Sequence, residues 1–221
     1  MNVSDTVRAR RSVRAFLDRD VDAERLTELI ALAARAPSGG NLQPWHVHLL
    51  TGDAMNRFRA MMEPRLAAGE ADAPEYPVYP PKLEEPYRTR RFAVGEGMYA
   101  RLGIPREDKA ARLDWFRRNW RFFDAPAGLF LFADRRMGAA QWSDMGGFLQ
   151  TLMLLLVEEG LASCPQEAWA VQHTVVSKFC GAPDGQMLFC GLAIGYADPD
   201  HALAGFETER APLDDWFTHH D

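Results

Sequence analysis

Arg10-Arg11-Ser12-Val13-Arg14 places three guanidinium groups around one hydroxyl, and Pro37-Ser38-Gly39-Gly40-Asn41-Leu42-Gln43-Pro44-Trp45 follows about four helical turns later. The chemistry this suits is capture of a phosphate on a polyhydroxyl chain. Arginine forks grip phosphate oxygens in pairs, while Ser, Asn and Gln satisfy hydroxyls. A lone Arg-Arg-x-x-Arg is ordinarily a solvated basic patch, and Pro, Ser, Gly and Asn are common in plain helix-to-strand connections. It is the pair of segments that is specific. Asn41 and Gln43 alternate with Leu42, so an extended backbone would point both amides the same way.

Other chemically capable residues are poorly placed for chemistry. His46 and His48 lie two apart on an expected strand, with no third ligand nearby in sequence, so no metal is assigned. Cys164 has no clear histidine partner and reads as a small buried residue. Gly95-x-Gly97 lacks the third glycine and the preceding strand of a dinucleotide fingerprint.

The elements that must position these segments can be read in outline. A short helix over about Val3 to Ala9 precedes the arginines. A second helix starts at Asp22, its cap, with Val21 and Leu26 at staple positions and Leu26, Leu29, Ile30, Ala33 and Ala34 on one stripe; Pro37 ends it near Arg35. Trp45 to Leu50 reads as a strand closed by Thr51-Gly52. From Glu63 to Tyr87 six prolines and three tyrosines interrupt any period, which suggests a surface loop or an active-site cover. Helical patterns return over Arg88 to about Leu102 and Glu107 to Trp120. Ala127 to Ala133 and Met187 to Ile194 are apolar runs of strand length. Asp144 to Glu159 reads as a central buried helix stopped by Gly160, and Ala168 to Phe179 as another helix. Few strands lie far apart without strict strand–helix alternation, so a doubly wound parallel sheet is not favoured. The polar tail from Tyr196 must wrap over other structure.

The bulk numbers bound the function. The 221 residues carry a net charge of −6, with 47% hydrophobic content, so an overall basic surface for nucleic acid is not on offer. Met145 to Val157 falls short of the roughly 20 residues of a membrane span. Three widely spaced cysteines define neither a disulfide framework nor a zinc site, which fits a reducing cytoplasm. The N-terminal arginines are interrupted by Asp5, Asp18 and Asp20, unlike a transit peptide.

The order Arg-Arg-Ser-x-Arg-x-Phe, a helix, then Ala-Pro-Ser-x-x-Asn-x-Gln-Pro-Trp resembles the N-terminal signature of the nitroreductase family. Leu161-Ala162-Ser163-Cys164-Pro165-Gln166-Glu167-Ala168, Phe123-Asp124-Ala125-Pro126 and the ending Ile194-Gly195-Tyr196 through Arg210-Ala211-Pro212-Leu213 are similar too. The resemblance spans nearly the whole chain and is nearest the nitrobenzoate-reductase-like branch. It implies an α+β fold, a central antiparallel or mixed sheet flanked by helices, in an intertwined homodimer with two FMN sites lined by both subunits. It implies one domain over 1–221, with 63–123 as an insertion covering the site. Arg10, Arg11, Ser12 and Arg14 then correspond to the phosphate and ribityl segment. Pro37, Ser38, Gly39, Asn41 and Gln43 fall in the segment given across the interface, and Pro165, Gln166 and Glu167 in the loop meeting the flavin ring near N5. Arg210 matches a C-terminal cation on the phosphate, and Arg121 is the nearest candidate for a cation at the N1–O2 edge. Ala168 stands where the family often has Gly. The implied activity is FMN-dependent electron transfer from NAD(P)H to nitroaromatics or quinones, by a ping-pong route and with no catalytic side chain. Reductive dehalogenation, azoline oxidation on the same scaffold, and flavin storage without turnover are the rivals.

Overall fold

The computed structural model describes residues 2–221. In chain order the regular elements are α1 (Val3–Ala9), α2 (Ala23–Ala33), β1 (His46–Thr51), α3 (Gly52–Ala67), α4 (Tyr87–Arg101), α5 (Lys109–Arg117), β2 (Ala127–Asp134), α6 (Ala139–Glu158), β3 (Ala162–Gln166), α7 (His173–Cys180) and β4 (Gln186–Gly195). The four strands form one sheet in the order β1-β2-β4-β3, with antiparallel pairing throughout. This is an α+β architecture of three layers.

Alternation along the two central strands builds a core on each face. Leu129, Leu131, Leu192 and Ile194 point to one side and pack on Leu26, Leu29 and Ala33 of α2 and Phe148, Leu152 and Leu156 of α6. Phe130, Phe132, Leu188 and Ala193 point to the other, against Met55, Phe58 and Met62 of α3 and against Phe122, Trp169 and Val176. Each such side chain, once fully buried, contributes about 1.5–3 kcal/mol. On the second face, Gly128 and Gly191 leave a slot for Phe122 and Trp169. A Cβ at Gly128 would lie 2.9 Å from the Phe122 ring, and one at Gly191 would overlap the Trp169 indole.

Several elements differ from the sequence reading. The irregular region expected from Glu63 begins later: α3 runs through Pro64 to Ala67, carried by the buried stripe Met55, Phe58, Met62 and Leu66. The next stretch is anchored. Arg65 bonds Glu70, Asp72 and Gln172, and the buried Tyr76 hydroxyl donates to the Phe189 carbonyl. Further on, α4 buries none of its residues and α5 buries Trp115 alone. Helix α6 starts at Ala139, five residues before Asp144. The expected helix over Ala168 to Phe179 is a 3-10 turn, Glu167–Gln172, followed by α7. The tail lies along α4: Phe206 meets Gly97, Arg101 donates to the Ala204 carbonyl at 3.3 Å, and Asp215 pairs with Arg90 at 3.1 Å. Among the described residues no helix is long and apolar enough to cross a membrane, and all three cysteines are free thiols.

Candidate active site

Helix α1 ends at Arg10, and the chain then runs extended along the free edge of β3. Ser12 bridges Ser163 in the sheet's one parallel contact among the described residues, and the Val13 N–H donates to the Ser163 carbonyl at 3.0 Å. Phe16 next bridges Ala197 beyond β4, with the Leu17 N–H on the Tyr196 carbonyl at 2.9 Å. These bonds set Arg10, Arg11, Ser12 and Arg14 half-buried beside Cys164 and the following loop. Arg11 Nη1 donates to the Ala9 carbonyl at 3.2 Å, and its Nη2 pairs with Glu207 of the tail. Arg14 donates only to the Ser12 carbonyl, at 3.2 Å. Neither Arg10, Arg14 nor Arg210 forms an ion pair with a carboxylate among the described residues; Arg210 bonds Thr208 and the Glu209 carbonyl. Two buried polar atoms here have no partner: Arg11 Nε and Ser163 Oγ. An orphaned buried donor or hydroxyl is costly, about 1–3 kcal/mol.

Open space lies beside Arg11, Ser12 and Arg14. A cleft of about 280 Å³ is lined by Arg11, Ser12, Arg14, Asp198 and Phe206. It adjoins, at Phe206, a larger cleft of about 840 Å³ between α4 and the tail, lined by Arg90, Val94, Glu207, Arg210 and Trp216. Together they span the size range of small-molecule sites.

The loop after β3 is rigidly held. Pro165 lies within β3, opposite Leu192, where an edge strand tolerates a missing N–H. Gln166 is buried and turned inward: its Nε2 donates to the Asn119 carbonyl at 2.7 Å, and its Oε1 accepts from Trp169 Nε1 at 3.4 Å. Its side chain is therefore structural; Pro165 is half-buried and Glu167 exposed. Trp120 Nε1 donates to the Ala168 carbonyl at 2.9 Å, tying the 3-10 turn Arg118–Asp124 to this loop. Arg121 sits on that turn, but its guanidinium is engaged by Glu63 and Asp124. Burial pushes the Cys164 thiol up to about 11, against the pull of Arg14, so it stays protonated and is no nucleophile.

The second segment lies elsewhere. Ser38 to Gln43 is a tight connection built on the 3-10 turn Gly39–Asn41, with Gly40, Asn41 and Gln43 all at left-handed φ (60°, 57° and 49°). The extended backbone expected for Asn41 and Gln43 is thus replaced. Ser38 Oγ accepts from the Gln43 N–H at 3.0 Å, Gln43 Nε2 donates to the Asn41 carbonyl at 3.2 Å, and the Gly39 N–H donates to Asp144 Oδ2 of α6 at 3.2 Å. Pro37, Gly39, Asn41 and Gln43 are exposed. The turn feeds β1 at one sheet edge, where His46 faces Phe132 and Phe132 faces Leu188; Ser163 is on the other edge, facing Ile194. Three strand spacings and six residues separate the two corners, roughly 14 Å across and 20 Å along. One chain does not bring its two segments together.

The sequence reading did not single out Ser163, Glu207 or Asn119. A serine two residues before the Pro-Gln pair carried a weak signal. Glu207 and Asn119 carried none, since their roles come from partners 196 and 47 positions away.

The chain belongs to the nitroreductase family, whose model matches residues 7–196. It is 41% identical over 197 residues to nitrobenzene nitroreductase of Ectopseudomonas oleovorans, covering 89% of this chain and 87% of that one. Among solved structures it is similar to the FMN and NADPH-dependent nitroreductase NfnB from Sphigopyxis sp. strain HMH, with 46% identity, a TM-score of 0.95 and full coverage of both chains. It is likewise similar to the FMN-dependent nitroreductase NfnB from Mycobacterium smegmatis in complex with NADPH, with 31% identity, a TM-score of 0.93 and 99% and 98% coverage.

Proposed function

We propose that the protein is an FMN-dependent oxidoreductase that passes electrons from NAD(P)H to small electrophilic acceptors, nitroaromatics and quinones foremost, by a ping-pong sequence. The observation that carries this reading is the edge of β3, where the half-buried Arg10, Arg11 and Arg14 run alongside Ser163 and Cys164, and where Arg11 Nε and Ser163 Oγ are buried without a partner. A phosphate dianion answers the guanidinium groups, and a ribityl hydroxyl answers Ser163. Arg210 supplies a further cation from the tail. FMN, when bound, supplies the two-electron relay between donor and acceptor. The chain supplies grip through the arginines, a fixed backbone edge at Pro165, Gln166 and Glu167, and a protonated Cys164 that takes no part. Arg121 would reach a ring edge only by leaving Glu63 and Asp124.

The working unit of this reading is a homodimer. The exposed Pro37, Gly39, Asn41 and Gln43, with the half-buried Ser38, complete the partner's site, since they cannot reach their own. We read 1–221 as one domain in the cytoplasm, with no nucleic-acid or membrane partner, and narrow the cover from 63–123 to 77–117. The relatives' names, with nitrobenzene as acceptor and FMN and NADPH as cofactors, support the same chemistry. The test is the visible spectrum of the purified protein followed by anaerobic NADPH and NADH, added separately. Bleaching of a flavin band by either donor is expected. A flavin band untouched by both would make the protein a store.

A further inference from the structure

Resting on the FMN reading, we propose that Glu207 is an internal anion that competes with the cofactor phosphate for Arg11, and so tunes how much the protein prefers a phosphorylated flavin to an unphosphorylated one. The geometry of one guanidinium carries this. Arginine grips phosphate bidentately along an edge with two parallel N–H donors, and the Nε–Nη2 edge is one such fork. In Arg11 a carboxylate already sits on one nitrogen of that edge: Nη2 pairs with Glu207, while Nε is buried without a partner. Nη1 is already given to the Ala9 carbonyl. Nη2 carries two hydrogens, so the fork stays open to a phosphate, but a phosphate on it lies beside the Glu207 carboxylate, anion against anion, and the carboxylate gives way.

Departure is easy for Glu207. Its side chain is 66% exposed, against 37% for Arg11, so the carboxylate returns to water while Arg11 stays in place. An exposed pair of this kind is worth a factor of about two to five in equilibrium. The phosphate dianion brings twice the charge and both fork contacts, and wins the exchange; riboflavin brings neither and leaves the pair closed. Glu207 also borders both clefts' junction at Phe206. The exchange therefore removes one tie of the tail and leaves Arg101–Ala204 and Arg90–Asp215 in place.

The test is fluorescence titration of apoprotein with FMN and with riboflavin, in the parent, Glu207→Gln, Arg11→Gln, and the double variant. Asp215→Asn serves as control, because it releases the tail from Arg90 without touching Arg11. Glu207→Gln is expected to tighten FMN about twofold to fivefold and to leave riboflavin as it was. It should add nothing in the Arg11→Gln background, and Asp215→Asn should not reproduce it. Unchanged or weaker FMN binding in Glu207→Gln would make Glu207 a support for Arg11 and overturn the proposal. So would equal tightening in Asp215→Asn. A parent that binds neither flavin removes the FMN reading itself, and the exchange with it.

Discussion

At the scale of single residues, the site divides into groups that are committed and groups that are free. Arg121 and Gln166 are committed, the first to Glu63 and Asp124, the second to Asn119 and Trp169. Arg14 and Arg210 hold only nearby backbone and Thr208. Arg14→Ala and Arg210→Ala should each weaken FMN binding about tenfold to a hundredfold, the loss of one charge-assisted contact of roughly 1.5–3 kcal/mol. Unchanged affinity in both, by fluorescence titration, would sink the phosphate assignment. Ser163→Ala should move two quantities in opposite directions. Its hydroxyl is buried and unbonded, so the apoprotein should gain about 1 kcal/mol, read in denaturant midpoint. FMN binding should weaken, because a ribityl contact goes. A loss of both would show that Ser163 is merely packing.

At the scale of elements, legibility followed the locality of the signal. Asp22 was readable as a cap and accepts from the Glu24 and Arg25 N–H groups, because capping needs only four consecutive residues. The strands around Phe130 and Ala193 announced themselves as apolar runs, since both faces are buried. Helix α3 was hidden by Pro64 and Gly52, although Met55, Phe58, Met62 and Leu66 were spaced for one face. Strand β3 was hidden by Ser163, Pro165 and Gln166, polar or proline residues that only an edge position accommodates. The left-handed turn at Asn41 and Gln43 depends on Ser38 and Asp144, and Asp144 is 105 positions from Gly39. The cover is the element with the most to test. Because Tyr76 is a buried anchor, a replacement should begin after it: a Gly-Ser linker for 77–85 should keep the FMN spectrum and change kcat/KM for nitroaromatics relative to quinones. Equal ratios in variant and parent would place the segment outside the acceptor's path.

At the scale of the whole molecule, the decisive feature is the diagonal between the two segments. If each site takes Arg14 from one chain and Asn41 and Gln43 from the other, two kinds of crippled chain can repair one another. Chains carrying Arg14→Ala and chains carrying Asn41→Ala with Gln43→Ala should each be poor alone. Unfolded and reassembled together in equal amounts, they should recover about a quarter of parental activity: half the dimers are mixed, and each mixed dimer holds one intact site. No recovery, with mixed dimers demonstrated by mass, would place both segments of a working site in one chain.

The glycine slot under β4 carries a lesson for the history of such sequences. Trp169 lies against Gly191, and Trp169 in turn holds Gln166, which holds Asn119. A methyl at 191 cannot be absorbed locally, so the displacement passes along this chain of contacts to the loop proposed to meet the flavin. Gly191→Ala should keep near-parental far-UV dichroism yet lose its yellow colour on purification; a variant that stays yellow would show the slot to be slack. Inactivating alleles should accordingly gather at a residue with no side chain and no ligand, where drift has little room to act and inheritance guards an empty space.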